Sequence, residues 1–160
     1  MSHPAELIIE RIADLLRDSE TVTGVRAENV FSHRSLPLAD VASAEDDQLP
    51  AICVNAGEDQ PVTEYEGSGG DSTIQSRLVV DVLLLERAND EPTLKHSLFT
   101  MRLGVQNLVL GSFDLGFPLF VLHTNYGGAE RPEFDSSANR IAGGYLLRFL
   151  VLYHMQSVIS

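Results

Sequence analysis

The segment TIQSRLVVDVLLLER, residues 73–87, predicts a long β-strand whose two faces differ in chemistry. Because side chains alternate between the faces of a strand, one face is apolar and consists of Ile74, Leu78, Val80, Val82 and Leu84. The other face mixes charged and apolar side chains, namely Arg77, Asp81 and Arg87 with Val79, Leu83 and Leu85. We therefore expect this strand to be covered on both sides, with part of the cover supplied by a second copy of the chain.

A second long strand is predicted over residues 140–155, with a similar division between its faces. Its apolar face consists of Ile141, Tyr145, Leu147, Phe149, Val151, Tyr153 and Met155, and its other face carries Arg140, Arg148 and His154. A shorter apolar strand is predicted at residues 49–56, which end at Gly57. Weaker strand patterns occur at residues 25–32 and within residues 116–126.

Two amphipathic helices accompany these strands. The first is predicted over residues 5–19, with Pro4 at its first position. The second is predicted over residues 91–109, where Asp90 can serve as the N-cap. Each helix carries an apolar stripe at helical spacing, so each is expected to pack against a sheet.

The remaining segments are predicted to be connections within a single domain of residues 1–160. Residues 36–47 and 127–139 show little periodicity and are predicted to be loops. Residues 58–72 are predicted to form a long acidic loop or an extended hairpin tip. Taken with the strands and helices, this predicts the α+β class. Two main α-helices are expected to pack on one face of a mixed or mostly antiparallel β-sheet.

The negative charge of the chain is concentrated in one stretch. No Lys or Arg occurs between Arg34 and Arg77, whereas nine carboxylates do: Asp40, Glu45, Asp46, Asp47, Glu58, Asp59, Glu64, Glu66 and Asp71. The whole chain has 23 acidic and 11 basic residues, a formal net charge of -12. Because nucleic-acid affinity depends largely on Lys and Arg at phosphates, this balance argues against a nucleic-acid binder.

The sequence contains no established pattern of catalytic or metal-binding residues. Cys53 is the only cysteine and is interpreted as a small buried hydrophobe. The glycines at 67–70 are not followed by the Lys of a phosphate-binding loop, and the acidic clusters lack the ligand spacing of a calcium loop. We therefore predict no catalytic residue, no metal site and no cofactor. No apolar run reaches the ~18 residues of a membrane span, so a membrane location is not expected.

The order of elements, together with the phrases LPAICV at residues 49–54 and RFLVLY at residues 148–153, resembles the tail terminator family of tailed bacteriophages, the minor tail protein U-like proteins. The resemblance covers nearly the whole chain and extends to related tail-completion and neck proteins. It implies a non-enzymatic virion protein that forms a ring, usually a hexamer, at the head-proximal end of the tail. Such a ring ends tail-tube polymerisation and joins the head.

The resemblance also implies partners and a location. The partners are other copies of the chain, the tail tube protein and a head-tail connector or neck protein, while genomic DNA passes through the channel without specific binding. The location is the phage tail of the virion, assembled in the host cytoplasm. Two alternatives from other classes stay open: a small metal-binding enzyme, and an acidic adaptor that binds a basic partner.

Within a ring of this kind, two groups of residues have expected positions. The channel-facing acidic loop is predicted to carry Glu58, Asp59, Glu64, Glu66 and Asp71, whose charge would repel DNA. A contact of this loop with the top tube ring is the alternative position. The subunit interface is predicted to include Arg77, Asp81, Arg140 and Arg148, although the arginines could equally be solvated or paired within one chain.

Overall fold

The computed structural model describes residues 2–62, 73–112, 114–136 and 140–156. In chain order, its helices and strands are α1 (Pro4–Arg17), α2 (Glu20–Thr23), β1 (Val30–Ser32), α3 (Leu38–Ala42), β2 (Ala51–Pro61), β3 (Thr73–Ala88), α4 (Glu91–Leu110), β4 (Val121–Ala129), β5 (Glu133–Asp135) and β6 (Ile141–Gln156). Single turns of 3-10 helix occur at Ala27–Asn29 and Asp46–Gln48.

The strands form one sheet in the order β1-β2-β3-β6-β4, and β5 also pairs with β6. β1 runs parallel to β2, and the other described pairings are antiparallel. The two long strands pair along their whole length, from Thr73 opposite Gln156 to Ala88 opposite Ile141. The predicted α+β class is confirmed, with a mostly antiparallel sheet and two main helices, α1 and α4, on one face.

The main hydrophobic core lies between the sheet and these two helices. It contains Ile8, Ile9, Ile12 and Leu16 of α1, Leu94, Leu98, Met101, Val105 and Val109 of α4, and Leu78, Val80, Val82, Leu84, Leu147 and Phe149 of the sheet. Burial of each such aliphatic or aromatic side chain contributes about 1.5–3 kcal/mol. Ile74 departs from the prediction and is 43% exposed, because it lies near the start of β3, four residues before Leu78 and outside this core.

Both long helices begin at a side-chain cap. The Asp90 carboxylate accepts a hydrogen bond from the Thr93 backbone N–H at 2.8 Å, which confirms the predicted cap of α4, and this bond lowers the pKa of Asp90. At α1, the Nδ1 atom of His3 accepts a bond from the Ala5 backbone N–H at 3.0 Å, and Pro4 occupies the first helical turn. The histidine cap was not foreseen, because His is not among the residues that favour this position.

The prediction of a loop over residues 36–47 is wrong, because this segment contains α3. The helix covers the second face of the sheet at one end, over a small core of Val41, Ala51, Cys53, Leu85 and Ala142. Its C-terminal carbonyl groups bind Arg87, whose Nη1 atom donates to the carbonyl oxygens of Val41, Ala42 and Ala44 at 3.4, 3.2 and 2.6 Å. Part of the cover expected from a second copy is therefore supplied by the chain itself.

β2 is longer than predicted and contains a β-bulge. Pairing with β3 places Ala56 opposite Val80 and Asp59 opposite Leu78, so two residues of β2, Gly57 and Glu58, face one residue of β3. The strand then continues to Pro61. Glu58 and Asp59 therefore belong to a strand, and the predicted acidic loop does not begin at residue 58.

The segment 127–139 is also not a simple loop. β4 extends to Ala129, and β5 forms a further pairing with β6 at Glu133–Asp135. Residues 121–126 of β4 lie within the weak strand pattern predicted at 116–126. Polar side chains conceal the end of β4 and the whole of β5, because one side chain in two need not be apolar at the edge of a sheet. The described edge is therefore built by two strands in succession along β6.

Gly104 lets α2 approach α4, and its replacement by alanine should destabilise the fold. A Cβ atom at Gly104 would lie 2.7 Å from the carbonyl oxygen of Val22, a backbone atom that cannot move aside without displacing α2. Overpacking of this kind costs about 1–3 kcal/mol, while the better helix propensity of alanine returns up to about 1 kcal/mol. We expect Gly104→Ala to lower the free energy of unfolding in urea by about 1–2 kcal/mol.

The exposed residue Asn107 provides the control on the same helix. Asn107→Ala gains helix propensity without meeting a neighbouring element, so its unfolding free energy should stay equal or rise slightly. Equal stability of the Gly104→Ala and Asn107→Ala variants would contradict the close packing of α2 on α4.

Candidate functional site

The face of the sheet opposite α1 and α4 is only partly covered by α3. We call its uncovered part the open face, which consists of Val79, Asp81, Leu83, Leu146, Arg148, Leu150 and Leu152, all half-buried. Antiparallel register sets these side chains in pairs across β3 and β6: Val79 with Leu150, Asp81 with Arg148, and Leu83 with Leu146. The open face is therefore an aliphatic surface with a charged pair at its centre.

The central charges form a row from β3 across β6 to Glu130, the residue that follows β4. The Nε atom of Arg148 lies 3.4 Å from Oδ1 of Asp81, and its Nη2 atom lies 2.5 Å from Oε1 of Glu130. The first distance makes an ion pair without a good hydrogen bond, and Oδ1 of Asp81 is buried without a hydrogen-bond donor among the described residues. A buried acceptor without a hydrogen-bond donor is costly, so the pairing of Asp81 within the described residues carries a penalty to stability.

The charge of the open face is balanced, in contrast to that of the chain. Two arginines, Arg148 and the exposed Arg77 at its margin, match two carboxylates, Asp81 and Glu130. The chain as a whole carries a formal charge of -12, so two copies repel each other over most of their surfaces. A neutral surface of aliphatic side chains and arginine has the composition typical of contacts between copies.

Arg140 lies apart from the other predicted interface residues, beside the turn after α3. Its Nη1 atom lies 2.7 Å from Oδ1 of Asp46, and the same oxygen accepts a bond from Nη2 of Arg87 at 2.7 Å. Arg140, followed by Arg87, lowers the pKa of Asp46 through these hydrogen bonds and charges. The structure thus brings Arg77, Asp81 and Arg148 together on one face and pairs Arg140 with a different carboxylate.

The predicted channel-facing acids are only partly within the described residues. Glu58 accepts a bond from Nε2 of Gln60 at 2.7 Å, and Asp59 accepts one from the hydroxyl of Tyr153 at 2.6 Å. Burial, together with the Asp59 carboxylate, raises the pKa of Tyr153. Asp59 is thus anchored to a core residue rather than free on a loop. The other three predicted residues, Glu64, Glu66 and Asp71, lie outside the described residues.

Several functional partners were missed in the sequence. Glu130 and Asp46 pair with predicted arginines, but they are 18 and 94 residues away from them along the chain, and no spacing rule joins such pairs. Arg102 of α4 donates to the hydroxyl of Tyr145, to that of Tyr126 at 2.8 Å and to Gln106 at 2.7 Å. The signal available in the sequence was the pair of tyrosines, Tyr126 and Tyr145, on neighbouring strands, because a buried tyrosine hydroxyl needs a hydrogen-bond partner.

The described residues give little support to an enzyme. No three His, Cys, Asp or Glu side chains within them are grouped as a metal site requires. Ser32 and His33 both bind Glu10, with the Ser32 hydroxyl 2.8 Å and Nε2 of His33 3.1 Å from the same carboxylate oxygen. The serine therefore donates to the carboxylate and not to the histidine, which is not the arrangement of a nucleophile and its base.

None of the helices in the described ranges is long and apolar enough to cross a lipid bilayer. A surface cleft of about 430 Å³ lies between β1 and α3 and is lined by Glu28, Phe31, Arg34 and Asp40 among others. The guanidinium of Arg34 stacks on the Phe31 ring, 4.8 Å from the ring centre. The charge of Arg34 therefore already has a contact within the cleft.

Comparison with known proteins gives one informative result. No protein-family model matches the chain, and no curated protein matches it. The fold is similar to that of a chain in the solved structure "Virion of native gene transfer agent (GTA) particle". The two chains are 12% identical, the TM-score is 0.58, and the match covers 96% of this chain and 100% of the other. At this level of identity, the likeness shows a shared fold.

The paired carboxylate Asp46 should make stability depend on pH in the acidic range. Its pKa in the folded protein is below the ordinary value of 3.8, so its contribution is fully present above that value and is lost as pH falls through the lower folded pKa. We expect Asp46→Asn to be less stable than the natural protein in urea at pH 6. The difference should shrink when unfolding is measured below pH 3.8.

Asp47→Asn is the matched control, because it removes the same charge one residue away, where the side chain is paired with neither Arg87 nor Arg140. Its effect on the unfolding free energy should be the smaller one at pH 6. A loss for Asp46→Asn that stays constant down to acidic pH would contradict an origin in the ionised carboxylate.

Proposed function

We propose that this protein is a structural component of a phage-type virion that forms a ring at the head-proximal end of the tail. The observation that carries the proposal is the shared fold with a chain of a gene transfer agent virion over nearly the full length of both chains. It agrees with the resemblance to tail terminators in element order. The protein would act by assembly and not by catalysis, within the virion and after assembly in the host cytoplasm.

In this role the ring is a homohexamer that ends tail-tube polymerisation on one side and presents the head-joining surface on the other. Its partners are the tail tube protein and a connector or neck protein. A neck protein is the second candidate, because the description of the similar structure names the particle and not the role of the chain. Both functions require contacts between copies, and the neutral open face supports such contacts.

The four predicted interface residues are still proposed to lie at the contact between copies, but Arg140 is assigned to a different part of it from the other three. Arg77, Asp81 and Arg148 would lie in or beside the contact between copies, since they belong to the open face or its margin. Arg140 would contribute at the end of the same contact, beside Asp46. Pairing within one chain is compatible with this role, because a neutralised charge costs less to desolvate when a neighbour covers it.

The acidic residues Glu58, Asp59, Glu64, Glu66 and Asp71 would face the channel through which DNA passes. DNA carries one negative charge per ~1.7 Å of its axis, so a lumen with carboxylates repels it and keeps it from sticking. Glu58 and Asp59 support this position by their exposure on the projecting end of β2, where residues 56–61 are all exposed. A ring structure with these two residues on the outer rim would contradict it.

The open face should control assembly. Leu150 lies beside the central pair of Asp81 and Arg148, opposite Val79, and a charged side chain there would place an unpaired carboxylate in the contact between copies. We expect native mass spectrometry of the natural protein to show a six-fold species and Leu150→Glu to remain monomeric, with unchanged circular dichroism. Leu119→Glu, at a leucine that is 86% exposed outside the open face, serves as the control and should still assemble.

The proposed termination of the tube can be measured directly. Tail tube protein from the same genome, polymerised with and without this protein, should give short tubes with a cap at one end when the protein is present, as seen by electron microscopy. Tubes of unaltered length and without caps, together with binding of the protein to a connector ring, would favour the neck function instead.

A further inference from the structure

The outer side of α4 carries two large apolar side chains that nothing in the described structure covers. Phe99 is 51% exposed and Leu103 is 62% exposed, and they lie four residues apart on one side of the helix. We call this pair the α4 knob. Phe99 is fixed by an edge contact with the ring of Tyr145, with 5.5 Å between the ring centres. The knob is therefore a projecting and partly immobilised apolar feature.

The knob stands in a long stretch of the chain without carboxylates. Residues 92–113 contain no Asp or Glu but include Lys95 and Arg102, in a chain of net charge -12. Arg102 makes no ion pair within the described residues, and its guanidinium is held by the hydroxyls of Tyr126 and Tyr145. The rings of these same two tyrosines lie beside it, with their centres 5.7 and 5.4 Å from the guanidinium carbon. A cation held in this way is positioned for a carboxylate on a partner.

A pocket of about 210 Å³ lies on the opposite side of the sheet, at the α3 end of the open face. Its floor is apolar and includes Leu83, Leu85 and Leu146, and its rim includes Glu130 and Glu133 together with Arg131. Small-molecule pockets usually measure about 300–1,000 Å³, so this one suits an inserted side chain better than a ligand. Glu133 is exposed and forms no ion pair within the described part of the chain.

We propose that the α4 knob of one copy inserts into this pocket of the next copy. In that contact, α4 of one copy packs against the open face of its neighbour. The inference rests on the proposed assembly of the chain and specifies its contact. Phe99 or Leu103 would fill the apolar floor, while Arg102 approaches the carboxylates of the rim, chiefly Glu133. Shape and charge are complementary in the same contact: a projecting apolar pair beside a cation meets a recessed apolar floor beside carboxylates.

The positions of the two surfaces determine the symmetry of the assembly. The knob and the pocket lie on opposite faces of the same sheet, so the knob of one copy cannot enter the pocket of the same copy. A two-fold dimer joins a patch to itself, whereas here different patches meet and each copy keeps one of each for a further neighbour. Contacts of this type generate rings when the rotation closes and filaments when it does not.

Crosslinking between single-cysteine variants tests the contact. Cys53, the natural cysteine, is buried and leaves the background low. Leu103→Cys and Glu133→Cys proteins, mixed and treated with a short bis-maleimide, should give a covalent dimer. Neither variant alone should do so, because each contact joins position 103 of one copy to position 133 of another. A mixture of Leu119→Cys with Glu133→Cys is the control and should stay uncrosslinked.

The effect on assembly separates this inference from the proposed function. We expect Leu103→Glu, a change at an exposed position that leaves the fold intact, to weaken association at least about tenfold in analytical ultracentrifugation. If the natural ring forms but the mixed variants do not crosslink and Leu103→Glu still assembles, the knob contact is wrong while the ring stands. If the natural protein stays monomeric at millimolar concentration and does not crosslink, both are overturned.

Discussion

β3 and β6 pair along all 16 residues of each strand, and this ladder determines where every other element lies. Each residue pair sends its side chains to the same side of the sheet, so the apolar sides of the two strands coincide over their common length. α1 and α4 cover that side. The reverse side, with its central charges, is left to α3 at one end and is open over the remainder.

The predictable part of the fold follows from this ladder. The alternation within residues 73–87 and 140–155 is strong enough to reveal both long strands, and the cap at Asp90 fixes the start of α4 without tertiary information. α3 was not predictable in the same way, because it has only five residues, and the side chain that binds the carbonyl groups at and beyond its end, Arg87, is 43 residues away from Ala44. A helix this short has little stability of its own, so its sequence carries little signal.

The residues of the candidate site also divide into those that local sequence predicts and those that depend on the tertiary fold. Arg77, Asp81 and Arg148 could be assigned to one surface from the strand period alone, since residues that share a strand face are fixed by counting. Their partner Glu130 and the pairing of Arg140 with Asp46 depend on how edge strands and turns fold back, which local spacing does not encode. The hydrogen bonds from Arg102 to the hydroxyls of Tyr126 and Tyr145 likewise join α4 to two strands that are distant from it in sequence.

The bulge at Gly57 and Glu58 has a further effect on the far end of the sheet. Up to Ala56, the even-numbered residues of β2 face the main core, but the extra residue reverses this parity, and it is Asp59 that points to the core side and reaches Tyr153. Removal of a single residue from the bulge would leave Asp59 opposite Leu78, whereas a straight strand of the same sequence would place Glu58 there instead. The bulge therefore decides which of these two carboxylates lies on the side of Tyr153.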